Sequence, residues 1–233
     1  MSYALTVLSG GMDSTVLAYL ARGLFEKVDL VSVDYGQRHR IELEYASRTA
    51  RQLGCRHDVL ELPLGPMLSG SALTDDEVQV PHGHYASGNM ALTVVPNRNA
   101  ILISLTYAVA VSREADAVLV GVHAGDQFVY PDCKPSFVDA LGRALQVGNE
   151  GIGDVRLEAP FVHRSKTDIA RLGHRLSVDW GSTWSCYEGG EVHCGRCGTC
   201  VERREAFHDA GIKDPTDYLD TAYACEVLAG GKP

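Results

Sequence analysis

The 233-residue sequence lacks the long apolar runs and the excess of positive charge that indicate a membrane protein or a nucleic-acid-binding protein. No apolar stretch approaches the roughly 20 residues of a membrane-spanning helix. The net charge of −9 argues against a broad electrostatic surface for nucleic acid, although it leaves room for a local basic patch. The first residues also lack the charged n-region of a secretion signal. We therefore expect a cytoplasmic protein with no membrane contact and no stable nucleic-acid binding.

The chain has no internal repeat, and its length suits one domain with an appendage. It contains seven cysteines. In a sequence without a secretion signal, these indicate metal binding or reactive thiols rather than a disulfide framework.

The opening segment lacks the lysine of a Walker A loop but has other features of a phosphate-binding turn. An apolar strand leads into SGGMDST at residues 9–15, and an apolar helical pattern follows. Glycines let a ligand approach the backbone, and N–H groups at a helix start favour negative charge. Ser9, Ser14 and Thr15 add hydroxyl groups, and Asp13 is placed to cap the helix or assist a metal. An ordinary strand–turn–helix junction is the alternative, but it leaves the flanking serines and aspartate unexplained.

Apolar strands alternate with helical segments along most of the chain. The pattern predicts strands at residues 4–8, 28–33, 57–62, 117–121 and 155–159. It predicts helices at residues 13–22, 41–53, 98–113, 135–147 and 165–172. This alternation predicts an α/β fold, with a parallel five-stranded sheet and helices on both faces. Ligands bind at the carboxyl ends of such strands, which is where the glycine-rich loop lies.

Two stretches lack this regularity. Residues 63–96 are rich in Gly, Ser, Asp, Pro and His, and we interpret them as a mobile cover over the site. His82 and His84 in this stretch are expected to be solvated loop residues rather than ligands. Residues 222–233 are expected to form a frayed tail.

Four cysteines form the pattern C-x7-C-x2-C-x2-C, with glycines between them. They are Cys186, Cys194, Cys197 and Cys200. The C-x2-C spacing lets two thiolates converge on one metal, and a set of four cysteines is the usual structural zinc site. An iron–sulfur cluster is the serious alternative, because C-x2-C-x2-C also occurs in cluster proteins. His193 adjoins this set, but four thiolates complete a tetrahedron, so we expect it beside the metal or facing a ligand.

Three further polar segments lie at the same predicted edge of the sheet. Residues 34–38, DYGQR, follow the second strand, where a nucleotide base has access to backbone groups. Residues 96–99, PNRN, place Arg98 at a helix start, within reach of a phosphate. Residues 121–133 bring two carboxylates, a histidine, a tyrosine and a thiol into one loop. Alone, each has a plainer interpretation: a helix-start salt bridge for Arg98, and turn or capping chemistry for the aspartates.

Together these motifs resemble the QueC family of queuosine biosynthesis, within the PP-loop ATP pyrophosphatase superfamily. The matching segments span nearly the whole chain in order. They are SGGMDST at 9–15, VDYGQRH at 33–39, VPNRN at 95–99, GVHAGDQFVYPDC at 121–133 and WSCYEGGEVHCGRCGTCVERREAF at 184–207. The SGGMDS segment alone would indicate only the superfamily, whose members split ATP between the α and β phosphates.

The resemblance implies an ATP-dependent carbon–nitrogen ligase. Its substrates would be 7-carboxy-7-deazaguanine, ammonia and ATP with Mg²⁺, and its product the nitrile 7-cyano-7-deazaguanine, formed through an adenylated acid and an amide. We expect a Rossmann-like PP-loop domain over residues 1–180 and a region over residues 181–233 that binds one structural Zn²⁺. The resemblance also implies a homodimer. A PP-loop tRNA-modifying enzyme, such as a thiouridine synthase, and a non-catalytic nucleotide-binding protein are the alternatives.

The resemblance also implies a role for individual residues. The ATP contacts would be Leu8, Ser9, Gly10, Gly11, Met12, Asp13, Ser14, Thr15, Val33, Asp34 and Tyr35. The groups acting in catalysis would be Ser9, Asp13, Ser14, Arg98 and Lys166. The last two would stabilise departing pyrophosphate, although a solvated first-turn side chain is the plainer interpretation of the lysine. The deazaguanine would contact Asp126, Tyr130, Asp132 and Cys133.

Overall fold

The computed structural model describes residues 2–85 and 88–229. A parallel sheet of five strands forms its centre, in the order β3-β2-β1-β4-β5. The strands are β1 Tyr3–Val7, β2 Lys27–Asp34, β3 Arg56–Glu61, β4 Ala117–Leu119 and β5 Arg156–Glu158. The α-helices are α1 Met12–Leu24, α2 Glu42–Leu53, α3 Arg98–Ser112, α4 Pro135–Gly148, α5 Lys166–Arg175, α6 Gly198–Ala210 and α7 Tyr223–Ala229.

Successive residues of β1 point into different cores, because side chains alternate across a strand. Ala4 lies in a core with Leu17 of α1 and side chains from α5 and α6. Leu5 lies in the core on the opposite face, where Tyr107 of α3 packs. Full burial of a leucine contributes about 1.5–3 kcal/mol, so both faces of the sheet stabilise the fold. The predicted sheet with helices on both faces is confirmed, and every predicted strand and helix forms within three residues of its predicted bounds.

Two helices were not predicted from the sequence. Helix α6 begins inside the cysteine-rich segment, where Gly and Cys obscure the apolar period. The predicted frayed tail is wrong over residues 223–229, which form α7. Asp220 Oδ1 accepts a hydrogen bond of 2.8 Å from Tyr223 N at the start of α7, and Ala224 is fully buried. Residues 230–233 lie outside the described residues.

The described part of the 63–96 stretch contains two 3-10 turns, Gly65–Met67 and Gly88–Thr93. Leu73 is fully buried there, and its carbonyl accepts a hydrogen bond from Arg38 N. The prediction that His84 is solvated is wrong, because its side chain is 12% exposed and its Nε2 lies 3.5 Å from Glu205 Oε2. His82 is partly exposed and hydrogen-bonds Glu188. The mobility of this stretch stays a prediction.

Within residues 2–85 and 88–229, no helix combines the length and the apolar character needed to cross a bilayer.

Candidate active site

The turn between β1 and α1 is a compact loop held by its own serines. Ser9 Oγ accepts a hydrogen bond of 3.2 Å from Gly11 N and lies 3.0 Å from Ser14 Oγ. Gly10 has a φ of +84°, and a β-carbon there would overlap the Glu42 carbonyl oxygen. The N-cap of α1 is Gly11, which has no side chain to cover the helix start. The N–H groups of this first turn are therefore available to an anion.

A cleft opens beside this loop, at the carboxyl edge of the sheet. The sequence-predicted site residues that line it are Leu8, Ser9, Gly11, Met12, Asp13, Ser14, Val33, Tyr35, Arg98, Asp126, Tyr130, Cys133 and Lys166. The other four are not part of the lining: Gly10, Thr15, Asp34 and Asp132. The structure thus brings the segments after β1, β2 and β4 to one cleft, together with the starts of α3 and α5.

Lys166 lines the cleft and is paired with two carboxylates. Its Nζ lies 3.1 Å from Asp13 Oδ2 and 2.7 Å from Glu202 Oε2. Burial alone would lower the pKa of Lys166, but the two carboxylates raise it above its ordinary value. Burial opposes ionisation of Asp13 as well, yet Lys166 and His123 hold its pKa below the ordinary value. The cleft therefore contains a charged lysine that is already paired with carboxylates.

Arg98 lies at the start of α3 and also lines the cleft. Its guanidinium carbon is 5.6 Å from the centre of the Tyr130 ring. Among the described residues, no carboxylate oxygen lies within 4.0 Å of its guanidinium, so the helix-start salt bridge is not formed there. Its positive charge faces aromatic rings and the cleft.

Asp126 and Tyr130 are fixed from opposite sides by residues of the 63–96 stretch. Tyr85 donates a hydrogen bond of 3.1 Å to Asp126 Oδ1. The Tyr130 hydroxyl lies 2.6 Å from Thr93 Oγ1. Asp126 Oδ2 is 3.4 Å from His123 Nε2. The carboxylate of Asp126 therefore has a fixed orientation at the cleft wall, as recognition of a donor-rich ligand requires.

Asp132 and Cys133, the next residues of this loop, are engaged with α3. Asp132 Oδ2 accepts a hydrogen bond of 3.0 Å from Asn99 N, in the first turn of that helix. Asn99 Nδ2 donates to Cys133 Sγ at 3.2 Å. Burial raises the pKa of the Cys133 thiol, which keeps it protonated. The Asp132 carboxylate thus performs the capping role that the sequence left open as its plainer interpretation.

The four predicted metal-ligating cysteines converge behind the cleft. Their Sγ atoms all lie within 4.8 Å of one another, and Cys194 Sγ is 3.9 Å from Cys200 Sγ. Sulfur atoms bound tetrahedrally at about 2.3 Å from zinc would lie roughly 3.8 Å apart, so the set fits such an ion. Backbone N–H groups of Arg196 and Cys197 donate to Cys194 Sγ, which favours its thiolate form.

His193 does not join the four sulfurs. Its Nε2 accepts a hydrogen bond of 3.0 Å from Ser185 N, and its ring centre lies 4.1 Å from that of Trp184. Trp184 N in turn donates to Gly10 O at 2.9 Å. His193 therefore lies between the cysteine cluster and the loop that contains Gly10, beside the four thiols as the sequence led us to expect.

Sequence reasoning missed several cleft residues. Glu202, the second partner of Lys166, lies three residues after Thr199 of the cleft lining, on the same face of α6. That i, i+3 relation next to the cysteines was a usable signal. His39, Glu42 and Tyr187 also line the cleft. They stand within or beside quoted motifs, but nothing in their spacing indicated that they meet.

Comparison with known proteins gives one consistent result. Residues 3–211 match the family model described as "Queuosine biosynthesis protein QueC". The chain is 52% identical to "7-cyano-7-deazaguanine synthase" from Ruegeria pomeroyi, over 97% of this chain and 98% of that protein. It is 51% identical to the protein of the same name from Rhizobium rhizogenes, over 97% and 96%. A solved NMN synthetase from Francisella tularensis shares the fold, with 16% identity and a TM-score of 0.51, over 97% of this chain and 82% of that one.

Proposed function

The chain belongs to the QueC family, and we propose that it catalyses the ATP-dependent conversion of 7-carboxy-7-deazaguanine and ammonia to 7-cyano-7-deazaguanine. A carboxylate is a poor electrophile because it is anionic. Attack of its oxygen on the α-phosphorus of ATP expels pyrophosphate and gives an acyl adenylate. Ammonia then displaces AMP to form the amide. A second activation, at the amide oxygen, allows loss of that oxygen and formation of the nitrile.

One observation supports this proposal most strongly: a phosphate loop and a fixed carboxylate face the same cleft. The Ser9–Ser14 loop presents backbone N–H groups suited to a polyphosphate. Asp126, held by Tyr85, presents an acceptor suited to the N1–H and amino group of a guanine-like base. An adenylating enzyme has to bring these two ligands together in this way.

We propose that Ser9, Gly11 and Ser14 cradle the phosphates, with Asp13 holding the Mg²⁺ that accompanies ATP. Arg98 and Lys166 would stabilise pyrophosphate as it leaves. The adenine would lie against the end of β2, where Val33 and Tyr35 line the cleft. Cys133 has no role as a nucleophile in this scheme, because each step transfers the acyl group directly and its thiol is kept protonated.

We propose that the ion held by the four cysteines is one structural Zn²⁺ per chain. A closed set of four thiolates leaves no open position for substrate, so the ion would contribute folding free energy rather than chemistry. Metal analysis by inductively coupled plasma mass spectrometry tests this proposal. One zinc per chain supports this proposal. Stoichiometric iron with inorganic sulfide, in place of zinc, contradicts it.

We further propose that the enzyme acts in the cytoplasm as a homodimer, on small molecules and without stable nucleic-acid binding. Its net charge of −9 supports the last part. Analytical ultracentrifugation tests the dimer. A tRNA gel shift at physiological salt tests the absence of nucleic-acid binding, and a clear shift would contradict it.

The decisive experiment is incubation of the metal-replete protein with ATP, Mg²⁺, ammonium and 7-carboxy-7-deazaguanine, followed by mass spectrometry. Conversion of acid to amide and then nitrile, dependent on ATP and on ammonium, is the expected result. Release of AMP identifies adenylation. A matched pair of variants sharpens the test: Ser14→Ala removes a hydroxyl of the phosphate loop, and Ser47→Ala removes one from the middle of α2. Only Ser14→Ala should impair conversion, and equal impairment would count against the phosphate loop as the site of chemistry.

A further inference from the structure

A second polar pair, which has been given no role so far, also lines the cleft. His39 precedes α2, and Glu42 is the first residue of that helix. Their side chains are only 4% and 11% exposed, yet both border the cleft. Gln37 Nε2 donates a hydrogen bond of 3.0 Å to Glu42 Oε1. One oxygen of the buried carboxyl group is therefore satisfied from within the protein.

The other polar atoms of the pair are incompletely bonded. Glu42 Oε2 lies 3.5 Å from His39 Nε2, which is longer than a good hydrogen bond. His39 Nδ1 is buried and has no hydrogen-bond partner among the described residues. Buried polar atoms are normally paired, so acceptors left open beside a cleft point to a ligand that donates hydrogen bonds.

The surroundings of the pair control its protonation. The phosphate loop packs against the start of α2 through Gly10, and the Tyr187 ring centre lies 5.2 Å from that of His39. Burial is the main cause that raises the pKa of Glu42 to about 8. The amide of Gln37 and the charge of Arg98 act in the opposite direction, and Asp34 adds to the rise.

Burial also lowers the pKa of His39 to about 3, and the charges of Arg98 and Arg38 lower it further. His39 is therefore neutral at physiological pH, with one ring nitrogen as donor and the other as acceptor. Glu42, in contrast, can gain and lose a proton near neutral pH. The pair combines a neutral hydrogen-bonding group with a carboxyl group poised for proton transfer.

We propose that His39 and Glu42 form the ammonium site, in which the Glu42 carboxylate removes a proton from ammonium and releases ammonia toward the acyl adenylate. This inference rests on the proposed function, which requires ammonia as nucleophile. Ammonium, the main form near neutral pH, has no lone pair with which to attack. The nearby charge of Arg98 disfavours a second cation, so it assists release of the neutral molecule.

The small exposed area of the pair also favours a small ligand. Recognition of a bicyclic base needs a whole ring edge, whereas the His39 and Glu42 side chains are only 4% and 11% exposed. Asp126, which also lines the cleft, already offers the carboxylate that such a base requires. When Glu42 is ionised, its Oε2 and the acceptor nitrogen of His39 offer two hydrogen-bond acceptors to ammonium.

Ammonium gives one proton to Glu42 and becomes ammonia. The nitrogen lone pair forms the C–N bond to the acyl carbon, and the C–O bond to AMP breaks, with AMP keeping the electron pair. The nitrogen then loses its surplus proton to water, which leaves the neutral amide. Glu42 returns its proton to water before the next turnover.

The test compares Glu42→Gln with Glu44→Gln, a change two residues along α2 at a side chain that is largely exposed. Each variant is assayed with ammonium and with hydroxylamine, a small nucleophile that is already unprotonated at neutral pH. We expect Glu42→Gln to lower kcat/KM for ammonium by roughly 10²-fold, the lower end of general-base effects. With hydroxylamine the loss should stay below about threefold. Glu44→Gln should match the wild type with both nucleophiles.

Pyrophosphate exchange into ATP, dependent on 7-carboxy-7-deazaguanine, reports adenylation without any amine. If Glu42→Gln retains this exchange while losing ammonium turnover, the ammonium site is supported. Equal losses with ammonium and hydroxylamine, or no loss with either, would overturn it. Absence of exchange in the wild type would instead refute the proposed function itself. His39→Gln serves as a second variant, and the inference predicts the same selective loss with ammonium.

Discussion

The two cations that line the cleft, Lys166 and Arg98, have opposite kinds of surroundings. Lys166 lies between Asp13 and Glu202, at 3.1 and 2.7 Å. Arg98 lies beside the Tyr130 ring, and within residues 2–85 and 88–229 no carboxylate approaches it within 4.0 Å. A phosphate that reaches Lys166 has to share it with two carboxylates, whereas Arg98 is free to pair at once. The resemblance implies one role for these two cations, but removing each of them should have a different effect.

The two cations also depend on different parts of the fold. Glu202, a partner of Lys166, is carried by α6, which begins one residue after Cys197 and contains Cys200. Lys166 is therefore coupled to the cysteine cluster. Arg98 is carried by α3, which packs on the sheet through Tyr107. Substitutions that affect one cation and leave the other intact test this difference.

The largest effect is expected from removing a metal ligand. Cys194→Ser should abolish stoichiometric metal binding and lower the unfolding temperature sharply, since structural zinc supplies roughly 10 kcal/mol or more of folding free energy in small domains. Metal content and calorimetry on the same sample check this. Cys225→Ser, at an exposed thiol outside the cluster, is the matched control and should change neither quantity. A folded, metal-free Cys194→Ser protein with normal activity would refute the structural role.

The second-largest effect is expected on stability. Removing Lys166 should lower the free energy of unfolding more than removing Arg98 does. Lys166→Met leaves Asp13 and Glu202 buried without their cation, and breaking a buried pair in this way costs about 3–5 kcal/mol. Arg98→Met removes a charge that has no carboxylate partner, so its cost should be about 1 kcal/mol or less. Urea unfolding with a constant m-value measures both changes.

The double variant Lys166→Met with Glu202→Gln provides the control for this comparison. If the penalty arises from the unpaired carboxylates, the second change should recover part of the loss, in a non-additive cycle. Strict additivity would show that Lys166 stabilises the fold through its packing alone. The proposed difference between Lys166 and Arg98 would then disappear.

The sequence revealed the parts of this site that are contiguous. The phosphate loop lies within one turn and its helix, and the cysteines converge through C-x2-C spacing, so local geometry was sufficient for both. Glu202 and Tyr85 reach the cleft from segments more than 100 residues apart, through packing that no local pattern encodes. The sequence also could not decide which of Asp126 and Asp132 lines the cleft. That depends on where the start of α3 lies relative to their loop.

The fold was more predictable than the site, because alternating apolar strands and helices require a parallel sheet whatever the loops do. Helix α7 was missed for a physical reason. A seven-residue helix is marginal in isolation, and this one depends on its cap at Asp220 and on burial of Ala224. Neither the cap nor the burial can be predicted from the seven residues of α7 alone.

The stability of the protein should depend on pH through Glu42, on which the charge of Arg98 acts. The unfolded chain releases the Glu42 proton near 4.5, whereas the native protein keeps it up to about pH 8. The native state therefore binds more protons over this interval, and its stability falls as pH rises, by up to about 1.4 kcal/mol per pH unit. Glu42→Gln removes this penalty, so its stability advantage over the wild type should grow between pH 5 and pH 8.

Thermal unfolding at several pH values in that range tests this prediction. Glu44→Gln should run parallel to the wild type throughout, because that side chain is largely exposed. A constant difference between Glu42→Gln and the wild type across the range would mean that the native Glu42 carboxyl titrates at its ordinary value. It would also remove the electrostatic support for the ammonium site.

The smallest effects distinguish two aspartates of one loop. Asp126→Asn weakens an acceptor at the cleft, so KM for the deazaguanine should rise roughly 10- to 100-fold, as for loss of a hydrogen bond to a charged group. KM for ATP should change little. Asp132→Asn weakens the bond to Asn99 N instead and should cost about 1 kcal/mol of stability, typical of a lost helix cap. Asp139→Asn, on the exposed face of α4, controls for charge. If Asp132→Asn raised KM for the base as much as Asp126→Asn does, the Asp132 carboxylate would have to leave Asn99 when the ligand binds.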